Sequence, residues 1–254
     1  MLAWIARTDY GAIHSDILSK RQSGTGHWFL ESAEFTEWTT NQSKRTLFCP
    51  GIPGAGKTVM SSIVLNYMME KYPHVHFADH RVGLAFIYFN YNMREQQNPT
   101  DFVAGLLKQL LQHLPSPPPK CVSELYDGHV KRGTRPQLHE LHAALIDLLP
   151  TFGQIYVVAD ALDECDRNAR NETLAILRKL QDEADNMKIM ITARPHETIS
   201  DEFDDILKLP IEADSGDVER FLNGRVHRLP AFVSKKPNLV REIKQTIIDT
   251  VKGM

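Results

Sequence analysis

The sequence predicts an α/β protein: a doubly wound, mostly parallel five-stranded sheet with flanking helices and a short helical N-terminal arm. Three observations carry that reading. Short apolar runs alternate with longer helical patterns along the 254 residues, the order of strand–helix–strand units joined by right-handed crossovers. The first run opens into Gly51-Ile52-Pro53-Gly54-Ala55-Gly56-Lys57-Thr58 and then a helical pattern, the order of parts in a phosphate-binding loop. A later apolar run, Ile155 to Ala159, ends in an acid, Asp160.

Taken in order, residues 9–22 form an amphipathic helix with Ile13, Ile17 and Leu18 on one stripe and Asp9 as cap. The cluster Ser23-Gly24-Thr25-Gly26 breaks it. Trp28-Phe29-Leu30 leads into a second short helix from Ser32 to Trp38, and this arm is too small to hold its own core. Lys44–Cys49 is the first strand, and the helix after the glycine loop runs to about Lys71, before Pro73. His74 to Arg81 is a polar connection, and Leu84–Phe89 a buried parallel strand. Asn98-Pro99-Thr100-Asp101 starts a leucine-rich helix that ends before the extended Pro115–Pro119 stretch.

Two helices, near 120–131 and 136–149, precede the strand Gln154–Ala159. A helix over 168–185, a strand Lys188–Thr192 and a fifth strand Ile206–Leu209 follow, then amphipathic helices over 214–228 and 238–251. There is no internal repeat. The organisation expected is a leader at 1–43, a core at 44–212 and a helical segment at 213–254. The last residues, Val251-Lys252-Gly253-Met254, fall as a helix is ending, the expectation for a truncated chain.

Composition bounds the function. A hydrophobic share of 42% and a charged share of 24% are those of a soluble globular protein. A net charge of −3 gives no global electrostatic case for nucleic acid or an anionic membrane. No apolar run is long enough to span a bilayer, and the N-terminus lacks the basic start of a signal peptide. Three cysteines, Cys49, Cys121 and Cys165, make no paired spacing, so a reduced, cytoplasmic protein is expected.

The glycine loop specifies chemistry. Gly51, Gly54 and Gly56 let the backbone curl around a phosphate with its N–H groups inward, and Pro53, Ala55 and Val59 complete the contact set. The following helix N-terminus favours the same anion. Lys57 supplies a point charge for the β/γ-phosphates and the Thr58 hydroxyl a ligand for Mg²⁺. Asp160, at a strand tip, is placed to hold the same Mg²⁺; the alternative is a simple turn cap. Asp163 and Glu164, within a turn of it, are equal candidates to polarise an attacking water, or one is a solvated loop acid. Arg194, just past the fourth strand, can report a γ-phosphate; the alternative is a surface arginine paired with an acid such as Glu197.

These motifs together carry a resemblance. Gly51–Thr58, Asp160-Ala161-Leu162-Asp163-Glu164 and Thr192-Ala193-Arg194-Pro195 resemble the NACHT group of signal-transduction P-loop NTPases. The leader residues Trp4-Ile5, Asp9-Tyr10, Arg21-Gln22, Gly24-Thr25-Gly26, Trp28-Phe29-Leu30, Glu34-Phe35 and Trp38 are similar to the segment before the core in fungal ankyrin-repeat/NACHT proteins. The resemblance implies a cytoplasmic molecular switch that is closed with ADP, opens and self-associates with ATP or meets other signalling proteins, and resets by slow hydrolysis. Fungal outputs of the family include non-self recognition and regulated cell death. It carries Asp160 over as the Walker B acid, Asp163 and Glu164 as its followers and Arg194 as the sensor. The family's later helical and winged-helix domains, which lock ADP, have no counterpart beyond residues 218–251.

Other readings are weaker. His74, His76 and His80 belong to a connecting loop rather than a metal site, and His139 and His142 lack further ligands. Trp28, Phe29, Phe35 and Trp38 form docking core, with the Gly24–Gly26 loop or Trp28 near an adenine as a secondary reading. GTP in place of ATP stays open. The competing functions are a nucleotide-dependent scaffold that does not hydrolyse and a small-molecule kinase, the latter disfavoured by acids after the Asp160 strand.

Overall fold

In the computed structural model, residues 1–73, 81–115, 117–195, 199 and 202–252 are described. Strands β1 (Thr46–Pro50), β2 (Val82–Tyr88), β3 (Gln154–Asp160), β4 (Met187–Ala193) and β5 (Leu207–Lys208) form one sheet. Their spatial order is β2-β3-β4-β1-β5, and each neighbouring pair is parallel. Every residue of β4 is buried, so both faces of the sheet are covered at its centre.

The helices are α1 (Leu2–Ile5), α2 (Tyr10–Ser19), α3 (His27–Leu30), α4 (Ala33–Thr40), α5 (Lys57–Lys71), α6 (Pro99–Gln112), α7 (Lys120–Arg132), α8 (Leu138–Leu148), α9 (Arg167–Glu183), α10 (Ser215–Arg225), α11 (Ala231–Ser234) and α12 (Pro237–Lys252). Their starts follow local chemistry. Asp9, Ser32, Asn98 and Asp214 each accept a hydrogen bond from a first-turn N–H, and Pro99 opens α6 where its missing donor costs nothing.

Several predicted bounds move. The first amphipathic helix stops at Ser19, and the next N–H groups tighten to carbonyls three residues back, Lys20 to Ile17 and Arg21 to Leu18. β5 is only two residues long, yet Leu209 N–H and Ile211 N–H continue along β1 to Phe48 and Pro50 carbonyls at 3.0 and 2.7 Å. The predicted 214–228 helix ends at Arg225 in a tighter 3₁₀ turn. α1, α3 and α11 have four residues each, too few to show a period in sequence.

The N-terminal arm shares the sheet's core. Phe29, Phe35 and Trp38 are fully buried in the cluster that holds the strands, and Trp38 meets Tyr156 of β3 edge-on at 5.5 Å. One polar residue secures the arm. Lys188, inside β4 and 1% exposed, donates to the carbonyls of Trp38 at 2.6 Å and Asn41 at 2.7 Å. Those carbonyls lie at the C-terminal end of α4, where helix carbonyls lack internal partners and the dipole is negative. Burial lowers the Lys188 ammonium to about 8. His14 of α2 is also buried, its Nδ1 at 2.9 Å from the Tyr88 hydroxyl.

Two measurements check this docking. Lys188→Met strands one buried and one partly buried carbonyl and is expected to cost about 1–3 kcal/mol by urea denaturation; an unchanged midpoint would remove Lys188 from the account. Burial lowers His14 below its ordinary 6.5, so the unfolded chain takes up this proton first. Stability from His14 is then complete above pH 6.5 and falls as pH drops below it. His142 is lowered in the same direction, so His14→Gln, compared with the parent chain between pH 7.5 and 5, should flatten but not abolish the slope.

Candidate functional site

The site forms where β1, β3 and β4 end. Gly51 leaves β1 with its N–H on the Ala193 carbonyl at 3.0 Å. A Cβ there would stand 2.8 Å from the Ile211 carbonyl oxygen, so only glycine fits. Gly54 and Gly56 have φ of +82° and +94°, and nothing lies within 4 Å of where their Cβ atoms would be. The loop is therefore an open backbone concavity, closed at one side by the first turn of α5. Ile52, Pro53, Gly54 and Val59 are exposed, and Ala55, Gly56, Lys57 and Thr58 are half-buried. The Lys57 ammonium donates to the Gly51 and Ile52 carbonyls at 2.8 and 3.2 Å, holding its charge over the loop.

Asp160 joins this loop to the rest. Its carboxylate is 1% exposed and accepts three hydroxyl hydrogen bonds. Thr58 donates to Oδ2 at 2.7 Å, Ser61 to Oδ1 at 2.6 Å and Thr192 to Oδ1 at 2.7 Å. Burial pushes the carboxyl above its ordinary range, while the three hydroxyls and the Lys57 charge pull it back. Thr58 and Ser61 stand one turn apart on α5, and Thr192 lies at the tip of β4. The spatial order explains the need for Thr192: β4 separates β1 from β3, so a side chain on β4 fills the gap between loop and acid.

The acid turn is held as firmly. Ala161 adopts a left-handed φ of 55°, and its N–H donates to Thr192 Oγ1 at 2.8 Å. Glu164 N–H closes the turn on the Ala161 carbonyl at 2.8 Å. Asp163 pairs through Oδ2 with Arg194 Nε at 2.9 Å, its side chain 5% exposed and that of Arg194 56%. Its other oxygen, Oδ1, is buried without a hydrogen-bond partner among the described residues. Glu164 turns elsewhere: Oε2 accepts the Tyr91 N–H at 3.0 Å, and Arg94 Nε grips the Glu164 carbonyl at 2.8 Å. The Arg94 guanidinium also lies 3.8 Å above the Tyr91 ring.

Sequence reasoning thus named Lys57, Thr58, Asp160, Asp163, Glu164 and Arg194, and these cluster at three strand ends. It missed Ser61, Tyr91 and Arg94, and gave Thr192 no role. Ser61 carried one signal, its position three residues after Thr58 on the same helix face. The arginine–acid alternative is realised with Asp163; Glu197 lies outside the described residues, as do His74, His76 and His80. His139 and His142 stand apart, lining a groove of about 710 Å³ between α8 and α9. The Gly24–Gly26 loop packs on α5: a Cβ on Gly26 would strike Ile63 Cδ1 at 2.3 Å, and Gly26 N–H donates to Asp217 of α10 at 2.7 Å.

The donors present fit a nucleotide and its metal. Hydroxyl and carboxylate oxygens are the hard ligands Mg²⁺ selects. An open glycine concavity with a lysine beside a helix N-terminus fits a phosphate chain.

Comparison with known proteins agrees with this geometry. Residues 24–194 match the family described as Nephrocystin 3, N-terminal. The chain is 20% identical over 241 residues to the vegetative incompatibility protein HET-E-1 of Podospora anserina, covering 89% of this chain and 17% of that protein. The chain therefore spans less than a fifth of that relative's length. In fold, it is similar to the Walker-type ATPase paby2304 of Pyrococcus abyssi, with a TM-score of 0.50, 16% identity, and 90% of this chain and 64% of that one covered.

The hydroxyl cage around Asp160 is open to test. Ser61→Ala and Thr192→Val each remove one donor to the same oxygen, and each is expected to cost about 1–3 kcal/mol in chemical denaturation. Because they share Oδ1, their effects should be non-additive. Two silent substitutions would show that the carboxylate is held by other groups, and additive costs would show that the two hydroxyls act independently.

Proposed function

The chain belongs to the family of the nephrocystin 3 N-terminal domain and is a NACHT-type P-loop NTPase, and from that premise we propose that it is a nucleotide-dependent signal-transduction switch. It binds ATP and ADP with Mg²⁺ and hydrolyses ATP slowly. The observation that carries this reading is the 2.7 Å hydrogen bond from Thr58 to Asp160, which joins a glycine loop to an acid 102 residues away. A simple turn cap would not need a partner on α5. Bound Mg²⁺ supplies charge neutralisation for the phosphates.

The residues divide the work. Gly51, Pro53, Gly54, Ala55, Gly56 and Val59 line the phosphate path, and Lys57 places its ammonium on the terminal phosphates in exchange for the Gly51 and Ile52 carbonyls. Thr58 and Asp160 hold the metal. Asp163 and Glu164 are the carboxylates from which the water-polarising group is drawn, and Arg194 reads the γ-phosphate. The leader is residues 1–43, the NTPase core 44–212 and the helical segment 213–254. The vegetative incompatibility named for the Podospora relative supports an output in fungal non-self recognition or cell death. Self-association or other signalling proteins in the cytoplasm would carry that output, with nucleic acid playing no part at a net charge of −3.

The second reading is a scaffold that binds nucleotide without turning it over. It is favoured by Glu164, whose carboxylate is engaged by the Tyr91 N–H.

Calorimetry and phosphate release separate the two. Lys57→Ala should abolish binding of ATP–Mg²⁺, a loss of at least about 100-fold; unchanged affinity would sink the nucleotide site. Glu164→Gln should keep binding and lose measurable phosphate release. No release from the parent protein would leave the scaffold.

A further inference from the structure

Asp163 is a buried acid whose role the pairing with Glu164 leaves open, and its contacts give it one. Its Oδ2 meets Arg194 at Nε, at 2.9 Å. Among the described residues, neither terminal nitrogen of that guanidinium makes a hydrogen bond, and the side chain is 56% exposed. A buried acid holding the inner nitrogen fixes where the fork points while leaving the fork's outer edge to a ligand. The backbone places that fork well. Arg194 follows Ala193, whose carbonyl takes the Gly51 N–H at 3.0 Å, so its root stands between the glycine loop and the acid turn. The acid turn cannot drift: Ala161 N–H is on Thr192 Oγ1 of the same strand that carries Arg194.

We propose that Asp163 is a positioning residue that pre-orients Arg194 toward the third phosphate of a nucleoside triphosphate, which leaves the water to Glu164. This rests on the nucleotide-switch reading and adds to it how the chain tells triphosphate from diphosphate. Free in solution, an arginine surrenders rotamer freedom each time it closes on a phosphate. Held at Nε, it gives up that freedom on folding, and the triphosphate gains the difference. A diphosphate lacks the third group that Arg194 would meet and gains nothing.

The test is calorimetric, on the full chain, with ADP–Mg²⁺ and a non-hydrolysable ATP analogue with Mg²⁺. Asp163→Asn should weaken the triphosphate analogue about tenfold, the size of one freed long side chain, and leave ADP unchanged. Arg194→Ala should weaken the analogue at least as much, and adding Asp163→Asn to it should cost nothing further. An unchanged ratio of the two affinities in Asp163→Asn, with phosphate release lost, would overturn the proposal and make Asp163 the water-polarising group. Should Asp163→Asn bind neither nucleotide, Arg194→Lys decides. A lysine keeps the charge but has no planar fork that could turn one edge to the acid and the other to the phosphate, so the triphosphate preference should vanish; a retained preference would refute positioning. A parent chain that binds neither nucleotide would instead overturn the underlying switch reading, a result distinct from any altered ratio.

Discussion

A carboxylate cannot be buried without donors, and Asp160 has three hydroxyls around it. They come from two stretches of chain far apart in sequence. Thr58 opens the helix behind the glycine loop, Ser61 lies one turn further along it, and Thr192 ends the central strand. Removing water from one acid therefore fixes α5 and β4 against the end of β3. The glycine loop, the strand that presents the acid and the strand that leads to the arginine are held in one frame by hydrogen bonds of 2.6–2.7 Å. The Ala161 N–H extends the frame by meeting the same threonine. That explains a left-handed alanine at this point: the turn must bend back to reach Thr192, and the cost of its φ is offset by the contact.

How much of this could be read from residue order depends on range. The glycine loop is local: its residues touch in sequence and in space, so Gly51 to Thr58 were legible outright. Asp160 was legible because an apolar run ending in an acid is a pattern of six residues. The strands were legible because parallel strands buried on both faces lose alternation and become plain apolar runs, as β4 does. Ser61 was not legible, since a serine on a helix looks the same whether it faces solvent or a buried acid. Lys188 misleads for a related reason. A lysine inside a strand reads as an edge or surface position, and only the unpaired carbonyls of α4 make its burial tolerable. The Asp163–Arg194 pair joins residues that sequence reasoning treated separately, because the register of β3 against β4 brings them level.

The leader owes its order to the core. Phe29, Phe35 and Trp38 have no partners among themselves sufficient to exclude water; they are buried because β1, β3 and α5 lie beneath them. In return the Gly24–Gly26 loop seats on Ile63 of the helix that follows the phosphate loop and reaches Asp217 of α10. One short loop thus touches the nucleotide-facing helix and the C-terminal helical segment together.

The strand order carries a consequence for how the chain is made. β1 has β4 and β5 as its neighbours and pairs with neither β2 nor β3, and Thr46 stands level with Ile189. As the polypeptide leaves the ribosome, the phosphate loop and everything before it emerge long before the strand they rest on. Lys188, which secures Trp38 from 150 residues downstream, arrives after helices α5 to α9. The leader can meet α5 early, through Phe35 and Tyr67, but its contacts with β3 and β4 are among the last of the core to form.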